Sequence, residues 1–241
     1  MPDITLQRGH TAVLIADFYA EIMDTLPHAI DRGVVDKAAA VQAAARNADV
    51  MVCYCATVFR PGYPEIGHRN KTFSERKASG QIAVPDPMNV IHPSVLPRQD
   101  EVVGGKHRVN ALYGTGLDVA LRANDIRDLV IFGYATSGVV LSTVRYGADL
   151  DYNLIVVEDC CADADAGIHE FLTQQIFPRQ DEVVGSDVVN RALGAMKLTD
   201  LSPDGQSRRR QKRTFYIACA ALAIAVGHVV YAFLRDHVFN Y

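Results

Sequence analysis

Three short stretches carry residue types that can do chemistry together. Asp17 stands directly after the apolar run Thr11–Ala16 (TAVLIA). Lys106 follows Val102 and Val103 at the end of a Pro- and Gly-rich excursion. Leu129–Phe132 is a third apolar run. It leads through Gly133 into Thr136-Ser137-Gly138-Val139, and residues 140–149 then read as a helix. A strand, a glycine-bearing turn and a helix place backbone N–H groups at the carboxyl edge of a sheet. Ligands bind there in open α/β folds, and a developing oxyanion can be held there. If the three runs are parallel neighbours, the Asp17 carboxylate, the Lys106 ammonium and the turn amides Gly138 and Val139 meet at one edge. The plainer reading of the third stretch is a βα unit with no site.

The elements that must position these groups follow from patterning. Residues 11–16, 50–58, 129–132 and 154–157 are short continuous apolar runs, the pattern of strands buried on both faces. Residues 34–47 are Ala-rich and read as a helix, as do 115–124, 165–177 and 187–196. Thr115 is the expected N-cap of its helix. Val102-Val103 and Val183-Val184 read as brief strands, the latter at an edge. Strands alternating with helices predict an α/β fold, doubly wound and mostly parallel, with right-handed crossovers. The octapeptide PRQDEVVG occurs at Pro97–Gly104 and again at Pro178–Gly185. It reads as two similar turns entering edge strands. Residues 59–105 show little periodicity and many turn residues, so they form a substrate wall or a surface excursion. Arg60, His68, Arg69, Lys71, Arg76 and Lys77 lie in it and could meet an anionic substrate.

Composition sets outer bounds. The chain has 241 residues, 49% of them hydrophobic and 22% charged, enough for one α/β domain and an extension. Five cysteines show no disulfide-framework spacing, which fits a reducing, intracellular compartment. Cys53 and Cys55 share one face of a strand and read as core. No metal-ligand set and no cofactor motif is visible. The net charge of -4 gives no case for nucleic-acid binding. The balance is uneven, because residues 1–207 hold 18 basic and 27 acidic residues, a net of -9. A polar linker precedes the basic run RRRQKR (208–213), and residues 215–234 are 20 residues without a formal charge. That length and flank predict an apolar C-terminal helix that anchors the chain in a membrane from the cytosolic side. The expected division is a domain over 1–200, a linker over 201–213 and this helix over 214–241. A helix docked on protein is the other reading of the tail.

Four ordered blocks resemble the isochorismatase-like hydrolases, also called the cysteine hydrolases. They are Ile15-Ala16-Asp17-Phe18, then Lys106-His107-Arg108-Val109-Asn110-Ala111-Leu112 with Gly114-Thr115-Gly116-Leu117, then Gly133 to Arg145, and finally Glu158-Asp159-Cys160-Cys161-Ala162-Asp163. The resemblance covers about residues 8–190. It implies a six-stranded parallel sheet flanked by helices, a homo-oligomer and a small-molecule substrate. It also implies a triad in which Asp is the base, Lys stabilises a thiolate, and Cys attacks a carbonyl. A thiol near pKa 8.5 needs such neighbours to be ionised at neutral pH. Asp17 and Lys106 match the first two members, and the peptide bond before the cysteine turn is often cis in these proteins.

The third member departs from the pattern. The family turn runs Thr-x-x-Cys-Val-x-x-Thr. Aligned on Thr136 and Thr143, it places Val139 at the nucleophile position. Valine has no nucleophilic atom. Ser137 or Ser142, or Cys160 or Cys161 after the next strand, are the conceivable replacements, none at the matched position. The branch that cleaves the vinyl ether of isochorismate also lacks the cysteine and uses Asp as the acid, with glycine at the position held here by valine. The expected function is therefore hydrolysis of a small carbonyl or enol-ether metabolite. Asp17 is the acid/base, Lys106 its electrostatic partner, and Gly138 and Val139 the backbone donors. Phe18, Arg60, Tyr134, Thr136 and Ser137 are the expected substrate contacts. The nicotinamidase branch's metal ligands are missing after the second strand, where His68 stands alone. The rival expectation is a binding or scaffold protein that has lost its chemistry.

Overall fold

The computed structural model describes residues 4–80 and 86–196. The six strands are β1 (Thr11–Ala16), β2 (Met51–Thr57), β3 (Val102–Lys106), β4 (Asp128–Gly133), β5 (Asn153–Val157) and β6 (Glu182–Val184). They form one sheet in the order β3-β2-β1-β4-β5-β6, with every pair parallel. The helices are α1 (Ala20–Met23), α2 (Pro27–Asp31), α3 (Val34–Asn47), α4 (Lys71–Ala78), α5 (Leu117–Ala123), α6 (Leu141–Ala148), α7 (Ala166–Phe171) and α8 (Ser186–Ala195).

The central strands explain themselves. Every residue of β1 and β4 is buried, as continuous apolar runs in a covered parallel sheet must be. α3 buries Val34, Ala38, Val41, Gln42 and Ala45, a stripe at helical spacing, and it packs beside α8. The strand order reverses between β1 and β4. Outside the carboxyl ends of strands flanking such a switch point lies the crevice where open α/β sheets bind ligands.

The two PRQDEVVG copies lead into β3 and β6, the two outermost strands. Most expected elements are present with ends shifted by a residue or two. Three differ. The helix expected over 115–124 starts at Leu117 with Gly116 as its N-cap, although the Thr115 hydroxyl still accepts the Leu117 N–H at 3.2 Å. The helix expected over 165–177 is α-helical only to Phe171 and continues as one wide π-helical turn, Leu172–Ile176. Residues 59–105 are not wholly irregular, since α4 lies within them, its N-cap Asn70 accepting the Phe73 N–H. Among the described residues no helix is long and apolar enough to cross a membrane, and the helix expected over 214–241 lies outside them.

Candidate active site

β1 delivers Asp17 to the switch point in an uncommon backbone conformation, φ 47°, which Asp tolerates better than most residues. The turn is held by Asp17 N–H donating to the Cys55 carbonyl at 2.9 Å and Tyr19 N–H donating to the Asp17 carbonyl at 3.0 Å. The residue is 7% exposed and its carboxylate is ringed by donors. Lys106 Nζ lies 2.7 Å from Oδ2. Oδ1 accepts from the Tyr19 hydroxyl at 2.5 Å, the Thr57 N–H at 3.1 Å and the Thr57 hydroxyl at 3.4 Å.

Lys106 is 2% exposed, and its ammonium has three hydrogens. They face Asp17 Oδ2, Thr57 Oγ1 at 2.6 Å and the Arg108 carbonyl at 3.2 Å. The lysine is thus an electrostatic partner of Asp17 with no hydrogen left for a ligand. Burial and the neighbouring carboxylate of Asp17 push the Tyr19 phenol well above its ordinary pKa, so Tyr19 is a neutral donor.

The third component enters from β4. Gly133 has φ 146°, and a Cβ on it would lie 1.8 Å from the Ala16 carbonyl oxygen. Only glycine lets β4 approach β1 so closely here. The Tyr134–Ala135 peptide bond is cis, and Thr136–Val140 forms one wide turn in which Gly138 is non-helical. Thr136 N–H donates to the Ala162 carbonyl at 2.9 Å, and Ser137 N–H to Asp163 Oδ2 at 2.7 Å. Val139 stands in this turn with its side chain 2% exposed.

Asp17 and Lys106 meet as expected from sequence; several other expected contacts take different roles. Gly138 N–H has one hydrogen and donates it to the Ala135 carbonyl at 3.0 Å, so it is committed within the turn and not to an oxyanion. The Thr136 side chain is fully buried and bonded to protein groups, which leaves it no surface for a substrate. Phe18 is 1% exposed and packs edge-on against Phe132 and His92, a core position. Arg60 is exposed and paired with Glu65. Tyr134 is half-buried and Ser137 exposed, so both can still touch a ligand. Cys160 and Cys161 are fully buried, and burial pushes the Cys161 thiol up to about 12 and the Cys160 thiol well above its ordinary value. Neither is a nucleophile in that state. Among the described residues no three His, Cys, Asp or Glu side chains converge to hold a metal ion.

Tyr19 and Thr57 are the residues that sequence reasoning missed. Tyr19 is two positions from Asp17, a signal available in hindsight. Thr57 is found only through strand register, which sets it opposite Lys106.

A doubly wound parallel sheet thus carries an Asp–Lys pair and a tight turn at its switch point, and comparison with known proteins assigns the family. The isochorismatase domain model matches residues 11–188, so the chain belongs to the isochorismatase family. The uncharacterized family protein YecD of Escherichia coli O157:H7 is 32% identical over 121 residues, 46% of this chain and 63% of that protein. Ureidoacrylate amidohydrolase RutB of Methylorubrum extorquens is 32% identical over 143 residues, 54% of this chain and 58% of that protein. The match thus spans less than two thirds of each of these relatives. A solved isochorismatase family protein from Burkholderia thailandensis superposes with a TM-score of 0.67 at 27% identity, covering 80% of this chain and all of that one. N-carbamoylsarcosine amidase from Thermoplasma acidophilum gives 0.59 at 26% identity, covering 73% and 96%.

Proposed function

We propose that this chain hydrolyses a small carbonyl compound, a ureide or amide first, using water activated by Asp17 in place of a cysteine thiol. The observation that carries this reading is the Asp17 carboxylate, which faces three hydrogen-bond donors and the Lys106 ammonium. Hydrogen bonds and a neighbouring cation favour the charged form of a carboxylate, which is the form a general base needs. Asp17 takes a proton from water as its oxygen attacks the carbonyl carbon. Negative charge gathers on the carbonyl oxygen, near the Lys106 charge and the Val139 N–H. The tetrahedral species then collapses, and the proton on Asp17 passes to the departing nitrogen. Enol-ether cleavage needs Asp17 to give a proton first, which this environment suits less well. The amidohydrolase and the amidase among the similar proteins support the choice of substrate class.

The test is a hydrolysis screen of ureides, N-carbamoyl compounds, amides and enol ethers with the purified full chain. Asp17→Asn should lower any activity by about 10²–10⁴-fold, the usual contribution of a positioned base. Val139→Cys should raise amide cleavage by restoring the thiol beside the same Asp and Lys. An Asp17→Asn rate equal to wild type refutes the base assignment. No turnover by either wild type or Val139→Cys favours a binding protein on this fold.

The tail reading rests on sequence alone. We propose that residues 215–234 anchor the chain in a membrane, so deletion of 215–241 should move it from the membrane to the soluble fraction. A full chain that fractionates as soluble rules this out. The homo-oligomer implied by family resemblance is tested by sedimentation, where a monomer at every concentration refutes it.

A further inference from the structure

Behind the site turn lies a buried polar chain that the reaction above does not use. Thr136 Oγ1 is 2.8 Å from His169 Nδ1, and both side chains are sealed from solvent. On the far side of the ring, His169 Nε2 faces Glu158 Oε2 at 3.7 Å. Glu158 is held by Arg32 Nη2 at 2.5 Å, and Arg32 also donates to the Glu158 carbonyl at 3.2 Å and the Cys161 carbonyl at 2.7 Å. His28 stacks edge-on against His169 with ring centres 4.8 Å apart, and its Nδ1 accepts the Asp163 N–H at 3.2 Å. Four segments therefore converge on one side chain of the turn: α2 with its C-cap Arg32, the end of β5, α7 and the strand-to-helix connection itself.

Hydrogen counting sets the direction of each bond. The Ala162 carbonyl already accepts the Thr136 N–H at 2.9 Å. The Thr136 hydroxyl has one hydrogen, for that carbonyl at 3.1 Å or for His169 Nδ1 at 2.8 Å, and the Glu158 carboxylate facing Nε2 draws the ring hydrogen to its own side, which leaves Nδ1 to accept. Nδ1 is then an acceptor and the ring hydrogen sits on Nε2, toward the Glu158 carboxylate. In that tautomer the ring N–H points toward the carboxylate 3.7 Å away and the hydroxyl has its acceptor. The serine-and-histidine relay it resembles is excluded as catalysis, because a fully buried threonine oxygen reaches no substrate.

We propose that His169, oriented by Glu158 and Arg32, is a positioning residue that fixes the Thr136–Val140 turn through the Thr136 hydroxyl. Its bearing on catalysis rests on the hydrolase reading above. The turn amides lead into Val139, whose N–H is the donor of the hydrolase reading, so loosening Thr136 displaces that donor without touching Asp17 or Lys106.

The test reads the turn without substrate. In the full-length protein labelled with 15N-histidine, long-range spectra should show His169 bearing its hydrogen on Nε2, with Nδ1 an acceptor. Hydrogen exchange of the Thr136 and Ser137 amides should accelerate about tenfold or more in His169→Leu, with β1 and β4 unchanged, as expected for local opening. His169→Asn, which offers an acceptor at nearly the Nδ1 position, should return exchange to within about threefold of wild type. Thr136→Val removes the other partner and must accelerate exchange as His169→Leu does. The hydrogen found on Nδ1 with Nε2 bare, wild-type exchange in His169→Leu or Thr136→Val, or no recovery in His169→Asn would each overturn the proposal. A failed hydrolysis screen leaves these readouts intact, so the two readings fail separately.

Discussion

At the residue scale, the site is an ion pair made specific by two neutral neighbours. A buried Asp–Lys pair alone is weak support for a fold, because desolvation offsets most of the attraction. Tyr19 and Thr57 supply the remaining hydrogen bonds, and together they fix which Asp17 oxygen faces Lys106. Tyr19→Phe keeps the ring and removes the bond donated to the carboxylate together with the one accepted from the Thr57 N–H at 2.7 Å. It should destabilise the protein by about 1.5–3 kcal/mol, the range for a hydrogen bond to a charged group. Urea unfolding measures this, and an unchanged midpoint would show that the phenol contributes nothing. Val139 marks the opposite case. Its side chain is buried among apolar groups, so its type is compatible with the core while supplying no nucleophile.

At the element scale, geometry at the switch point depends on how closely β4 approaches β1. Ala16 pairs with Gly133, and the Tyr134 N–H donates to the Ala16 carbonyl at 3.1 Å. Gly133→Ala would drive a methyl into that carbonyl at a φ that alanine avoids. The loss should reach about 4 kcal/mol or more, the tail of single-substitution effects. Thermal melting of the soluble fraction checks it, and a melting point within a degree or two of wild type would refute the close-approach argument. The repeated octapeptide shows how far local sequence goes. Both copies make a turn into an edge strand, yet Glu101 of the first receives Arg46 at 2.7 and 2.8 Å, whereas Glu182 of the second is exposed. Identical residues acquire different partners because Arg46 of α3 and Tyr54 of β2 reach the first copy.

At the scale of the whole molecule, one acidic group works against the fold. Both carboxylate oxygens of Asp181 are buried without a hydrogen bond, and burial pushes its pKa up to about 7, with Arg145 opposing. The folded protein holds this proton more tightly than the unfolded chain does. Stability from this group is therefore full below the unfolded value near 3.9 and is lost as pH rises through about 7. Asp181→Asn removes the buried charge and should stabilise the protein at pH 8, and by much less at pH 5. Melting curves at the two pH values decide it, and an equal gain at both would show that charge burial is not the cause.

The sequence by itself determined the strands, the order of the blocks and the residues Asp17 and Lys106. Those features are written in local signals: short apolar runs buried on both faces, and polar residues placed where the runs stop. It also raised the expectation, from the Thr136-to-Thr143 spacing, that Val139 stands at the nucleophile position. What only tertiary structure decided is which groups face one another. Thr57 reaches Lys106 across 49 positions through strand pairing, and His169 reaches Thr136 across 33 through the packing of α7 behind the turn. The Gly138 amide changes from an expected donor to a committed one because the turn closes on Ala135. Parallel strands joined by crossovers bring remote residues to a single edge, and hydrogen-bond partners across that edge are fixed by register and helix packing, neither of which any local stretch of chain encodes.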